Sequence, residues 1–104
     1  MPTAKKWIEE LSDGEPVEGV VFGCFEYDDG VCWEGYPQGK LLSFDEAMPW
    51  LVRDFDQRNG AAEHPPVVAW TKTWIISFSQ WDTMTDRFRI HRNPTAYLPC
   101  MPGG

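Results

Sequence analysis

Long apolar runs are missing from this chain, and their absence excludes the protein classes that require them. A membrane-spanning helix needs roughly 18 to 20 consecutive apolar residues, and no stretch of the sequence approaches that length. Near the start, Glu9 interrupts the chain before the hydrophobic region of a signal peptide can form. We therefore expect a cytoplasmic protein that does not associate with a membrane.

Cysteine and histidine are scarce, which limits the disulfides and metal sites that the chain can build. The three cysteines, Cys24, Cys32 and Cys100, are an odd number without a C-x-x-C spacing, which argues against a disulfide framework and against a zinc ribbon. We expect them to be free thiols. His64 and His91 are the two histidines, and we expect both to be solvated rather than to bind metal. No metal and no cofactor are predicted.

The sequence also lacks the local motifs of common catalytic classes. It contains no phosphate-binding loop of the G-x-x-x-x-G-K-[ST] or G-x-G-x-x-G type, and neither G-x-S-x-G nor H-E-x-x-H occurs. A nucleophile and base formed by Cys100 and His91 has no support, because Cys100 lies in a proline-rich tail where catalytic geometry is hard to hold. We therefore predict that the protein is not an enzyme.

The overall composition is typical of one folded domain. Of the 104 residues, 42% are hydrophobic and 24% are charged, close to the average of folded soluble domains. A chain of this length buries roughly two-thirds of its unfolded surface, which is enough for one core without disulfides or metal. We expect a single domain over residues 1–104.

Acidic residues outnumber basic ones by 16 to 9, for a formal net charge of -7. That sign disfavours nonspecific and direct binding to DNA or RNA. Residues 1–60 hold 13 acids and 5 bases (-8), whereas residues 61–104 hold 3 acids and 4 bases (+1). If the two halves occupy different faces, one face is an anionic surface that attracts a basic partner. The alternative is that the acids only keep a small domain soluble.

A short helix is predicted near the start of the chain. Thr3 can cap it, and Ser12-Asp13-Gly14 provides the stop. Apolar residues recur between them at the i, i+3, i+4, i+7 spacing of a helix face: Ala4, Trp7, Ile8 and Leu11.

A longer, main helix is predicted in the middle of the chain. Ser43 and Glu46 form a capping box, and an apolar stripe at helical spacing follows from Phe44 to Phe55. Pro49 lies inside this helix and predicts a kink or a tightened first turn, because proline has no amide to donate. Asn59-Gly60 predicts the end of the helix.

Strand-forming residues occur in several short stretches separated by turn signals. Residues 17–27 and 31–34 flank a predicted turn at Asp28-Asp29-Gly30, and residues 40–42 are a candidate short strand. Residues 67–70, 74–81 and 88–91 are the remaining stretches. We predict an α+β domain: an antiparallel β-sheet of about five strands, with the one main amphipathic helix packed on a face and the short N-terminal helix.

The apolar pattern also predicts the register of the hairpin formed by residues 67–70 and 74–81. A three-residue connection at residues 71–73 pairs Trp70 with Trp74 and Val68 with Ile76. It collects five apolar residues on one face, whereas a two-residue loop scatters them: Val68, Trp70, Trp74, Ile76 and Phe78. We therefore predict the three-residue connection.

Fifteen aromatic residues are more large rings than a core of this size easily encloses, so some rings are expected to be partly exposed. Trp50 falls on the side of the main helix away from its apolar stripe, and Trp33 and Tyr36 lie beside a Gly/Pro loop. Trp7, Trp70, Trp74 and Trp81 are assigned to the core or near it. Aromatic anchors among carboxylates are typical of protein interfaces. We predict a partner-binding site of seven residues: Glu26, Asp28, Asp29, Trp33, Glu34, Tyr36 and Trp50. Packing beneath a loop is the alternative for Trp33 and Trp50.

The last third of the chain carries a resemblance to a known group of proteins. The run WIISFSQWD at residues 74–82, the tripeptide at residues 92–94 and the ending PCMPGG resemble small uncharacterised proteins of bacteriophages and prophages. Trp81 and Thr83 stand where that group tends to have tyrosine and glycine. The resemblance implies a phage origin and, by analogy, an anti-CRISPR or other anti-defence role in which carboxylates occupy a nucleic-acid channel.

The leading hypothesis is a non-enzymatic, phage-encoded inhibitor that acts in the cytoplasm of a host cell. Its acidic hairpin mimics phosphates and docks onto a basic surface of a nucleic-acid-binding complex, such as a CRISPR effector. The alternative is a protein that binds or sequesters a nucleotide signal with Arg87, Arg89, Arg92 and Trp81, unless these arginines pair with acids of the protein such as Asp82 or Asp86. A homodimer also stays open, because residues 74–81 have an apolar face.

Overall fold

The computed structural model describes residues 2–23, 35–55, 64–81 and 84–93 of the chain. Within them lie two helices and four strands: α1 (Ala4–Leu11), β1 (Gly19–Phe22), α2 (Phe44–Leu51), β2 (Val67–Trp70), β3 (Trp74–Trp81) and β4 (Met84–His91). The strands form one antiparallel sheet in the order β1-β2-β3-β4. The predicted α+β class with an antiparallel sheet is confirmed. Neither of these helices is long and apolar enough to cross a bilayer.

The described part of the sheet has four strands rather than about five. The predicted strand at residues 31–34 lies outside the described residues. Residues 40–42 form only an isolated bridge, in which Val20 and Leu42 exchange two backbone hydrogen bonds of 2.9 and 3.0 Å. The bridge does not lengthen into a strand because Ser43, the next residue, already caps α2. The last strand is longer than expected, since β4 pairs with β3 over all eight of its residues.

The N-terminal helix forms as its local sequence predicts. The Thr3 side chain accepts a hydrogen bond from the amide of Lys6 at 3.2 Å, which satisfies one of the free donors of the first turn. The predicted stop is also confirmed, because Asp13 and Gly14 follow the helix with φ values of 56° and 81°. The buried residues of α1 belong to the predicted face: Ala4, Trp7 and Ile8.

The capping box of α2 is confirmed, but the helix is much shorter than predicted. The Ser43 hydroxyl accepts from the amide of Glu46 at 3.1 Å, and Glu46 Oε1 accepts from the amide of Ser43 at 2.9 Å. The helix then ends at Leu51, two residues after Pro49, instead of at Asn59-Gly60. Beyond it the chain runs alongside the start of α1, where the amide of Phe55 donates to the carbonyl of Pro2 at 3.2 Å.

The predicted register of the β2–β3 hairpin is wrong by one residue. Trp70 pairs with Ile75, and Val68 pairs with Ser77, so the turn has two central residues, Lys72 and Thr73. This turn is closed by Thr71, whose amide donates to the Trp74 carbonyl at 2.9 Å. Val68 and Trp70 therefore lie on the face of the sheet opposite Ile76, because side chains alternate along a strand.

Both helices contribute to the same cluster of buried residues as the inner face of the sheet. Trp7 is central to this cluster, since its ring makes T-shaped contacts with Phe55 and Phe78 at centroid distances of 5.0 and 5.1 Å. Ala47 and Leu51 are the buried residues of α2. The helices have eight residues each, so the expected difference in length between a main and a short helix is not present.

Candidate functional site

Aromatic side chains meet at the end of β1. The buried ring of Phe22 makes edge contacts with Tyr36 at 5.3 Å and with Trp50 at 6.3 Å between centroids. His64 lies behind them, with its ring centroid 6.2 Å from Phe22 and 5.8 Å from Tyr36. We use the name aromatic edge for the cluster of these three rings and two residues bonded beside them, Gly35 and Gln38: Phe22, Gly35, Tyr36, Gln38 and Trp50.

Hydrogen bonds place the residues on both sides of segment 24–34 at the aromatic edge. The carbonyl of Phe22 accepts from the amide of Gly39 at 2.8 Å, and the carbonyl of Gly23 accepts from Gln38 Nε2 at 3.1 Å. At the other end, the indole N–H of Trp50 donates to the carbonyl of Gly35. Gly35 has a φ of 82°, a backbone conformation that favours glycine. The course of the chain into the aromatic edge therefore depends on a glycine at this position.

Two of the seven predicted partner-binding residues, Tyr36 and Trp50, lie in the described part of the chain, and they lie together. Both are half-buried and pack against the core. Trp50 does not point away from the core, as its helical position suggested, because its ring contacts Phe22. The guanidinium of Arg53 lies over the Tyr36 ring at 5.0 Å. The other five predicted residues lie outside the described residues: Glu26, Asp28, Asp29, Trp33 and Glu34.

Most of the negative charge of the protein lies outside the described residues. Those residues hold nine acids and eight bases, a net charge of -1 out of a total of -7. Residues 24–34 alone hold four acids and no base. The chain on both sides of this acidic segment is anchored at the aromatic edge, so its carboxylates and the half-buried ring of Tyr36 are neighbours along the chain.

The two halves of the sequence do not occupy separate faces in the described structure. Glu10 of the acidic half lies 3.5 Å from Arg87 Nη2, and Glu18 lies 3.0 Å from Arg92 Nη1. These ion pairs neutralise acids of the first half with bases of the second. The expected anionic face is therefore not formed by these residues.

Glu15 is used to hold the β2–β3 turn. Its Oε1 accepts from the Thr71 hydroxyl at 2.6 Å and from the Thr73 amide at 3.2 Å, and its Oε2 accepts from the Thr73 hydroxyl at 2.6 Å. Hydrogen bonds from Thr71, and then those from Thr73, lower the pKa of this carboxyl, because they favour its charged form. Both oxygens of the Glu15 carboxylate are therefore used in hydrogen bonds that stabilise the fold.

The arginines of the alternative ligand pocket are also bound to the protein itself. The Arg87 guanidinium lies over the Trp7 ring at 4.8 Å and 3.6 Å from Asp86. Arg89 lies over Trp74 at 3.8 Å and donates to the carbonyl of Leu11 at 2.9 Å. Arg92 Nη1 donates to the carbonyl of Thr71 at 2.8 Å. These contacts favour the alternative explanation that the arginines pair within the protein.

His64 is buried, so the prediction that it is solvated is wrong. Its side chain is 3% exposed and is surrounded by aromatic rings, with Phe55 at 5.1 Å and Phe78 at 5.6 Å. A carbonyl can only accept, so Nδ1, at 2.7 Å from the Pro65 oxygen, carries the proton. Nε2 is then a buried acceptor that finds no hydrogen-bond partner among the described residues. Burial lowers the pKa of His64 to about 4, which keeps the ring neutral.

The described residues contain no group of three or more histidine, cysteine, aspartate or glutamate side chains that could hold a metal ion. The three cysteines, with their predicted free thiols, lie outside these residues.

No protein-family model matches the chain. Searches of curated proteins and of solved structures also find no match.

Proposed function

We propose that this protein is a non-enzymatic, acidic binding protein that blocks a basic nucleic-acid-binding surface of a host defence complex. It acts in the host cytoplasm as a phage-encoded inhibitor of the anti-CRISPR kind. The carboxylates of residues 24–34 take the place of phosphates, and aromatic side chains beside them anchor the complex.

One observation carries this proposal: hydrogen bonds hold both residues that flank the most acidic segment at the aromatic edge, which contains two half-buried rings, Tyr36 and Trp50. Gly23 is bonded by Gln38, and Gly35 is bonded by Trp50, so the flanks of the segment share the aromatic edge. The rings of Tyr36 and Trp50 both pack edge-on against the buried ring of Phe22. Aromatic anchors held in place lose little side-chain entropy on binding, and nearby carboxylates accelerate capture of a basic partner.

The charge count also supports this placement. Several described acids are engaged within the fold by an arginine, a lysine or threonines, among them Glu9, Glu10, Glu15 and Glu18. The four acids of residues 24–34 have no base within their segment. A field of one sign on a short segment is what a phosphate-binding channel attracts.

A competition assay tests the proposal. Purified CRISPR effector ribonucleoproteins are incubated with fluorescent target DNA, and DNA binding is followed by anisotropy at about 50 and 300 mM salt. We expect the protein to displace DNA from at least one effector, more strongly at low salt. The D28N/D29N variant should need at least about tenfold more protein to displace the same fraction of DNA.

The D13N/D54N variant is the matched control, because it removes the same charge from two exposed aspartates that do not belong to residues 24–34 in the sequence. Asparagine also tolerates the φ of 56° at position 13. The control should inhibit as the native protein does. The proposal fails if no effector loses DNA, or if both variants lose inhibition equally.

A further inference from the structure

Three arginine side chains of the described structure lie over aromatic rings, and one of these rings belongs to the aromatic edge. The guanidinium carbon of Arg53 lies 5.0 Å from the centre of the Tyr36 ring. Arg87 and Arg89 lie over tryptophan rings at 4.8 and 3.8 Å. A cation above an aromatic ring is attracted by the negative face of the π system. One face of the Tyr36 ring therefore already holds a guanidinium in the free protein.

Arg53 differs from the other two arginines because no second bond holds its guanidinium over the ring. Arg87 is also paired with Glu10, and Arg89 also donates to the carbonyl of Leu11. Among the described residues, the Arg53 guanidinium has neither an ion pair nor a hydrogen bond, and its side chain is exposed. An exposed contact between a cation and a ring is weak, so another cation can replace Arg53 at little cost.

The Tyr36 ring, in contrast, packs against two buried side chains. It makes T-shaped contacts with Phe22 at 5.3 Å and with His64 at 5.8 Å between centroids. A side chain that is already packed loses little conformational entropy when a ligand binds to it. The ring of Tyr36 can therefore stay in place when Arg53 moves away, and its face is then open to a side chain of another molecule.

We propose that Tyr36 binds an arginine side chain of the basic partner, in the place that Arg53 occupies in the free protein. This inference rests on the proposed function, because it specifies which side chain of the partner the aromatic edge takes. Arginine fits the ring better than lysine, since its planar guanidinium stacks on aromatic faces, whereas the lysine ammonium is compact and strongly hydrated. Arginine is also enriched on surfaces that recognise phosphates.

Arg53 is then an internal competitor that weakens binding of the partner's arginine. It covers the ring face, and its positive charge repels a basic partner. Only the first of these effects requires the ring of Tyr36, so the two effects can be separated. Removal of Arg53 should strengthen the binding of arginine more than the loss of one positive charge explains.

Titrations of the full chain with hexa-arginine amide and hexa-lysine amide test this inference without an effector complex. Isothermal titration calorimetry at about 50 mM salt gives the dissociation constant of each peptide. R53Q should bind hexa-arginine about three- to fivefold more tightly than the native chain does. Its affinity for hexa-lysine should rise less than about twofold. The two peptides carry the same charge, so the difference between them measures stacking on the ring.

K72Q is the matched control, because it removes the same charge from an exposed lysine at the other end of the sheet. Lys72 follows Trp70, at the end of β2 opposite the one that faces Phe22. K72Q should change the affinity for both peptides by the same small factor. Y36F keeps the ring and should bind like the native chain. In Y36L the gain produced by R53Q should disappear, because the two substitutions act on one contact.

Nuclear magnetic resonance of the Tyr36 ring protons gives a readout in the native chain, so the test does not depend on the folding of Y36L. The chain has three tyrosines, and Y36F identifies the signals of Tyr36. Hexa-arginine should shift these signals more than hexa-lysine does. Unshifted Tyr36 signals, equal affinity of R53Q for the two peptides, or equal gains in R53Q and K72Q would overturn the inference. Arginine binding at Tyr36 without loss of DNA from any effector would support the inference and overturn the proposed function alone.

Discussion

The indole ring of Trp70 occupies the space that a side chain at Gly19 would need. An added Cβ would lie 2.8 Å from Cη2 of the ring and closer still to Cζ2. The two residues face one another on β1 and β2. A glycine is therefore required at this position for close packing, because the absence of a side chain lets the Trp70 ring lie along the outer face of the sheet.

Replacing Gly19 with alanine should destabilise the protein by about 1–3 kcal/mol, because the Trp70 ring must move out of its place. Urea unfolding followed by circular dichroism measures the change in free energy. Gly23→Ala is the control, since its nearest neighbours would be Pro66 atoms at an ordinary 3.8 Å. Equal effects at the two glycines would contradict the packing explanation.

The buried His64 should make stability fall as the solution becomes acidic. Its folded pKa is about 4, below the usual value of 6.5. Between pH 6.5 and pH 4, His64 is therefore protonated in the unfolded chain but stays neutral in the folded protein. Because of this one group, the free energy of unfolding of the native protein should fall by roughly 3 kcal/mol between about pH 7 and pH 4. Carboxyl groups also change the free energy of unfolding as the pH falls. The contribution of His64 is therefore obtained by comparing the pH dependence of the native protein with that of a variant that lacks this histidine.

His64→Leu should remove this part of the pH dependence, since leucine cannot be protonated. Urea unfolding at about pH 7.5 and pH 5 gives the difference for each protein. His91→Gln removes the other, half-buried histidine and should keep the loss of stability on acidification. A His64→Leu variant with an unchanged pH slope would show that the ring does not resist protonation.

Glu15→Gln should destabilise the β2–β3 turn at neutral pH, because the amide replaces two acceptor oxygens with one. The pKa of Glu15 is lowered from 4.5 by Thr71 and Thr73, so its contribution is present above pH 4.5 and is lost as the pH falls further. The difference between native protein and variant should therefore shrink in acid. Glu9→Gln, which removes one exposed pair with Lys5, should have the smaller effect at pH 7.

Arg89→Lys should cost about 1–2 kcal/mol of folding stability although the charge is kept. Arg89 stacks on Trp74 and bonds the end of α1 through Leu11, and lysine cannot reproduce this planar contact. Arg53→Lys should cost less than about 0.5 kcal/mol, because Arg53 is itself exposed where it lies over the half-buried Tyr36 ring. Thermal unfolding compares the two variants. A stable Arg89→Lys protein would return Arg89 to the candidates for ligand binding.

Local chemistry alone determined the starts of both helices. The Thr3 cap and the Ser43–Glu46 capping box each join groups three residues apart, so a single turn of chain contains all the partners. The antiparallel α+β class also followed from the order of short patterned segments. The acidic character of residues 24–34 is likewise a property of the sequence.

The tertiary structure decided the hairpin register, the end of α2 and the burial of His64. Glu15 binds Thr71 and Thr73 from more than 50 residues away and stabilises the two-residue turn, which no local pattern reveals. Likewise, α2 ends early because the following chain pairs with Pro2 and brings Phe55 into contact with Trp7. His64 is buried because rings from distant segments close around it. Contacts between distant residues outweighed local preference in each case, since they bury apolar surface or satisfy polar groups that a helix or turn alone leaves exposed.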